Sequence, residues 1–218
     1  MMNGIWEMNA WQLIKAGGPV MVPILFCSFF ALGIIIEKMI YFSLITTNVP
    51  ELKQTAFELI KNNKIKEAVQ FCDSKKSPVA KILRAGIIKF GSSRDEMKES
   101  MENISLYAVP KLEIRLNALA TIAHISPLLG LLGTVTGMVS SFHTIQVRAA
   151  SLSPVTPGDL AGSIFEALLT TVAGLMVAIP TSVAYNYFVT RINDHVLEME
   201  RGATELINLI SQVTETKI

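Results

Sequence analysis

Charge is scarce in this chain. Only 17% of its 218 residues are Asp, Glu, Lys or Arg, against about 25% in an average soluble domain. The net charge of +1 gives no general attraction to nucleic acid. Cysteine is nearly absent. Cys27 falls in an apolar run and Cys72 in a polar segment, so the two are expected in different compartments and unpaired. His124, His143 and His195 show no ligand spacing, and no metal site is expected. A glycine-rich phosphate loop, a nucleophile elbow and a paired-carboxylate constellation are all missing, so neither an enzyme nor a cofactor is expected.

What the chain has instead is apolar length. Half of its residues are hydrophobic, and the mean hydropathy is +0.44. Ala16 to Ile36 carries no charge, Leu116 to Val147 is broken only by His124 and His143, and Leu160 to Thr190 contains a single charge, Glu166. A bilayer-spanning helix needs about 20 apolar residues, and strands average only about 5–6, so each run reads as a membrane helix. The second run would measure about 48 Å as one helix, more than the roughly 30 Å hydrocarbon core, so the later helices are expected to protrude. The first run is not expected to be a cleavable signal, because it lacks a basic lead-in and ends in Glu37-Lys38. Trp6 and Trp11 precede it, at a position suited to the membrane interface.

Lys and Arg set the orientation. The 46–115 segment holds 13 of the 19, whereas the 148–159 loop holds only Arg148. The positive-inside rule places the basic segment in the cytoplasm, the N-terminus outside and the C-terminal tail inside. The expected organisation is a lead-in at 1–15, spans at 16–43, 116–147 and 160–188, a cytoplasmic helical domain at 44–115, an outer loop at 148–159 and a cytoplasmic helix at 189–218. The fold class is thus an all-α membrane protein with three spans.

Within the cytoplasmic segment, Pro50 opens a helix, and Ser77-Pro78 opens another with proline at its first position. Ser93-Arg94-Asp95-Glu96 reads as a capping box, and Pro110 as a candidate kink before the second span. In the tail, Val189, Ile192, Val196, Met199, Ala203, Leu206, Ile210 and Val213 alternate at steps of three and four. This heptad-type seam calls for a partner helix, within the chain or on a neighbouring subunit.

The second and third spans differ from the lipid-suited first. The second gathers Ser126, Gly130, Gly133, Thr134, Gly137, Ser140, Ser141 and Thr144 near one face; the third gathers Glu166, Thr170, Gly174, Pro180 and Thr181, with Thr171 beside them. Small residues suit close helix packing. The same face also suits an aqueous or partner-filled centre. An ionised carboxylate at mid-membrane costs about 2.5–3.5 kcal/mol on insertion scales, so Glu166 should face water, a partner or the nearer interface. Pro127 and Pro180 free backbone carbonyls inside their helices and mark flexible points. One membrane carboxylate plus hydroxyls is not a proton relay, so a second chain would have to supply another titrating group.

These helices carry a resemblance. Ser126-Pro-Leu-Leu-Gly-Leu-Leu-Gly-Thr-Val-Thr-Gly-Met138 and Phe165-Glu-Ala-Leu-Leu-Thr-Thr-Val-Ala-Gly-Leu-Met-Val-Ala-Ile-Pro-Thr-Ser-Val-Ala-Tyr-Asn186 are similar to the signature helices of the ExbB/TolQ/MotA family of energy-transducing proteins. Gly17-Gly-Pro-Val-Met-Val-Pro23 and the closing Glu37-Lys38 fit it too. Three spans match ExbB and TolQ better than the four-span MotA, although Thr136 stands where those two commonly have an aromatic residue. The resemblance implies a homopentamer in the bacterial inner membrane. A single-span ExbD- or TolR-like dimer would fill its pore, and an Asp on that partner would carry the proton. It implies pore-facing roles for Thr134 and Thr171 and a role for Glu166 in the third helix. A TonB- or TolA-like protein would take up the work, in TonB-dependent transport or, as the alternative, Tol–Pal envelope maintenance. Outside that frame stand a passive scaffold for a single-pass partner and a free-standing ion channel.

Overall fold

The computed structural model describes residues 9–45 and 48–215. Expectations that fall on Trp6, Thr46 and Lys217 lie outside them. Eight helices cover the described residues: α1 (Ala10–Ala16), α2 (Met21–Ile45), α3 (Val49–Lys61), α4 (Ile65–Asp73), α5 (Pro78–Ile88), α6 (Arg94–Glu113), α7 (Leu116–Ala150) and α8 (Pro157–Glu215). No strand occurs among the described residues. Three helical stretches, containing α2, α7 and α8, are long and apolar enough to cross a membrane. The all-α membrane class read from the sequence is the class observed.

The chain divides into two units. The first comprises the residues up to Ile36 together with Asn117–Asn186, and so holds most of α2, nearly all of α7 and the first half of α8. Its outer surface is apolar: Phe26, Phe29, Phe30, Leu128, Val139, Phe142, Met176 and Val183 are all exposed. So large a patch is not sustainable in water and suits acyl chains or neighbouring helices. The ends of α7 and α8 that flank their connection are tied by Arg148, whose guanidinium donates to the Asp159 carboxylate at 2.6 Å. Asp159 also accepts from the backbone N–H and the hydroxyl of Thr156. These bonds, the Thr156 backbone first, hold its carboxyl below the usual carboxylate range.

The second unit comprises Glu37–Leu116 and the residues from Tyr187 onward. It has a conventional core: Leu52, Ala56 and Ile60 of α3, Ala68 and Cys72 of α4, and Met97 and Met101 of α6 close around α5. α5 is buried along most of its length, from Pro78 to Ile87. Met199, Leu206 and Ile210 of the tail seam are buried in this same core, so the partner of the seam lies within the chain. Ser77 precedes α5 in extended conformation with Pro78 at its start, and the Ser93 hydroxyl accepts from the Glu96 N–H at the start of α6.

Between α6 and α7 the chain breaks later than Pro110 suggests. Pro110 lies inside α6, and the helix stops at Ile114, whose backbone is extended, and Arg115, at φ 64°. The end of α2 holds this joint. Lys38, buried in the second unit, donates from Nζ to the Leu112 carbonyl at 2.6 Å, satisfying an acceptor in the last turn of α6. Glu37 pairs with Arg115. One turn along α2, Phe42 stacks on Phe188 and on His195, at 5.8 and 5.9 Å between ring centres. Burial there pushes the His195 imidazole below its ordinary pKa.

Candidate functional site

The polar residues of α7 and α8 divide into two groups. The first forms a seam where the two helices touch backbone to backbone. Along it a Cβ added to Gly174 would fall 2.5 Å from the Ser126 carbonyl oxygen, and one on Gly130 would fall 3.0 Å from the Thr171 Cα. A Cβ on Gly137 would meet the Ala167 Cβ at 2.6 Å, and one on Gly133 would overlap the Thr170 hydroxyl at 2.0 Å. Glycine is required at these positions because the opposite helix occupies the space a side chain would need.

Hydroxyls are buried in this seam. Ser126, Ser141, Thr170 and Thr181 are almost fully covered. Each donates to a carbonyl of its own helix: Ser126 to Ile122, Ser141 to Gly137, Thr170 to Ala167 and Thr181 to Val177. A hydroxyl so satisfied costs little in an apolar setting. Pro127 and Pro180 interrupt neither helix: α7 and α8 each run continuously through their proline.

The second group stands at the edge of the seam. Thr134 and Thr171 are half-buried, and Thr136 is exposed. Thr171 donates to the Gly130 carbonyl of the other helix at 3.1 Å, and Thr134 to Leu131 of its own at 2.7 Å. Ser140 and Ser163 approach to 3.4 Å farther along the pair. A hydroxyl that donates one bond still has lone pairs to accept others. Thr170 and Thr181 lie inside the contact, whereas Thr134 and Thr171 border it.

Glu166 sits on α8, half-buried. Its neighbour is the turn that leads into α2: a Cβ built on Gly18 would lie 1.7 Å from Glu166 Oε1 and 2.6 Å from Cδ. Gly18 holds φ 64°, a conformation that favours glycine. In this placement the half-buried carboxyl lies against the backbone of that turn. The sequence marked Gly18 only through the resemblance of its Gly-Gly-Pro lead-in. Ser126 was visible as one of a row of small residues, but its contact with Gly174 was not.

Comparison with known proteins fits this geometry. Residues 74–201 match the model of the MotA/TolQ/ExbB proton channel family. A protein named ExbB-like 3, from Synechocystis, is 35% identical over 79% of this chain and 81% of its own length. The Tol-Pal system protein TolQ of Pseudomonas aeruginosa is 39% identical over 53% of each chain. The biopolymer transport protein ExbB of Salmonella typhimurium is 42% identical over 43% of this chain and 37% of its own length. Among solved structures, that of Campylobacter jejuni MotAB aligns with a TM-score of 0.57 at 14% identity, covering 98% of this chain and 87% of the other.

Proposed function

Because the chain belongs to the MotA/TolQ/ExbB proton channel family, we propose that it is the multi-span subunit of an inner-membrane stator of the ExbB or TolQ kind. Five copies surround the membrane helices of a single-span ExbD- or TolR-like dimer, and proton flow drives that inner dimer against the ring. Work leaves through the partner to a TonB-like or TolA-like protein. One observation carries this reading. Thr134 and Thr171 stand half-buried at the margin of a glycine seam that is otherwise closed, and Glu166 stands half-buried beside the turn before α2, which supports a reading in which a further helix or water meets these polar groups. A carboxyl is disfavoured against lipid, which argues for a protein or aqueous surround of Glu166.

The energetics are adequate. One charge moved through 100 mV releases about 2.3 kcal/mol. Interhelical hydrogen bonds in membranes average about 0.6 kcal/mol. A single proton can therefore rearrange contacts of the size of Thr171 to Gly130.

The reading is tested in cells that depend on this chain. Glu166→Ala and Thr171→Val are expected to abolish protonophore-sensitive work while the oligomer still assembles. Full activity in both variants removes these residues from the pathway. Work that is indifferent to a protonophore points to a passive scaffold, and proton conduction by the chain reconstituted alone points to a free channel.

A further inference from the structure

The Gly18–Glu166 contact is not explained by packing economy. In the seam, glycines make room for another helix's backbone or for a small side chain. At Gly18 the space is taken by a carboxyl group, the one acid within the apolar part of α8. Two independent features meet at this residue. Its backbone is in the left-handed region at φ 64°, and the nearest atoms to its missing Cβ are the Oε1, Cδ and Cγ of Glu166, at 1.7, 2.6 and 3.3 Å. Gly17 beside it is different. Its backbone is right-handed at φ −85°, and the atom closest to a Cβ there is the mobile tip of Met21. Among the described residues no side chain ion-pairs with Glu166, and the Gly18 backbone lies directly against its carboxyl.

We infer that Gly18 is a positioning residue for the Glu166 carboxyl: the bare backbone of the turn before α2 is the surface that fixes where this acid points. The turn at 17–20 thereby links the entrance of the first span to the acid on the third. This rests on the proposed role of Glu166 in the proton path, but the placement itself is separable from that role.

Infrared spectroscopy of the full chain in lipid membranes tests it. The Glu166 band is isolated by difference against Glu166→Gln and titrated with pH. Gly18→Ala is expected to displace the carboxyl and move its titration midpoint by about one pH unit or more, tenfold in proton affinity. Gly17→Ala should leave the midpoint where it is. Gly18→Asn separates strain from overlap, because Asn tolerates positive φ but still carries a Cβ; it should shift the midpoint as Ala does, and it replaces Ala in the test should Ala fail to assemble. Gly91→Ala, at φ 90° with nothing within 4 Å, reports the stability loss from left-handed strain alone. Shortening the acid should relieve the overlap, so Gly18→Ala with Glu166→Asp is expected to match Glu166→Asp alone. A titration that overlays the wild type in both Gly18 variants, or losses that simply add in the double variant, would overturn the assignment. If Glu166→Gln keeps proton-driven work while the Gly18 shift remains, the functional reading fails and the positioning stands.

Discussion

A Cβ on Gly174 would lie 2.5 Å from the Ser126 carbonyl oxygen and 3.2 Å from the Gly130 backbone, and backbone cannot rotate aside. Gly162, on the same helix, has nothing within 4 Å. Gly174→Ala is therefore expected to cost about 1–3 kcal/mol through helix separation, and Gly162→Ala to be close to neutral, as read by thermal unfolding in detergent. Cys72 makes a second residue-level case. Burial pushes its thiol up to about 11, and the thiolate is the reactive form. At pH 8 a maleimide should label Cys72 slowly in the folded chain and quickly once denaturant opens the second unit. Both properties were only half legible in the sequence. The composition of α7 and α8 announced close packing, because runs of Gly, Ser and Thr have few other uses in a membrane helix. Which of those residues touch and which stay at the edge depends on the register of one helix against the other. No local pattern fixes that register.

At the scale of elements, the joint between α6 and α7 shows where local reading falls short. Pro110 is the residue a sequence marks for a break, yet α6 passes through it and ends at Ile114–Arg115. The stop is enforced from α2, distant in the chain, by Lys38 on the Leu112 carbonyl and Glu37 on Arg115. The cap made by a neighbouring residue at Ser93, and the proline start at Pro78, were readable, since both are local matters. Lys38→Met keeps the length and burial of the side chain but leaves the carbonyl without its donor. The expected loss is about 1–3 kcal/mol, measured as a lowered unfolding midpoint of the second unit. The Arg148–Asp159 tie behaves differently. Asp159 has a depressed carboxyl pKa, so its contribution is complete above the ordinary carboxylate range and is lost as pH falls through the lower folded value. Amides of residues 151–156 should exchange faster with solvent only in strong acid, and Asp159→Asn should show the faster exchange already at neutral pH.

The whole molecule was legible as a class: three apolar runs, a basic segment between the first two and a helical tail follow directly from where charge is missing. Charge returns at Glu37-Lys38 on α2 and at Arg191 on α8, at or close to the places where one unit gives way to the other. The heptad seam of the tail signalled a partner without identifying it; the partner is the α3–α6 core. The aromatic stack of Phe42 on Phe188 and His195, in the second unit, has a pH dependence of its own. Folded His195 binds a proton less readily than the unfolded chain does. Its stack with Phe42 is thus fully stabilising above about pH 6.5. It weakens as pH falls through that value towards the lower folded pKa. Thermal unfolding between pH 8 and 5 should show this loss, and His195→Phe should flatten it.

Where glycines let α7 and α8 meet without intervening side chains, the two helices are welded into a single stiff body. Backbone packed on backbone leaves little room for the two helices to slide on each other, so displacement of this pair is expected along its outer faces. If the proposed stator assembles, motion is expected at the boundary between its subunits, and substitutions that separate α7 from α8 should reduce its work even when they leave every titratable group untouched.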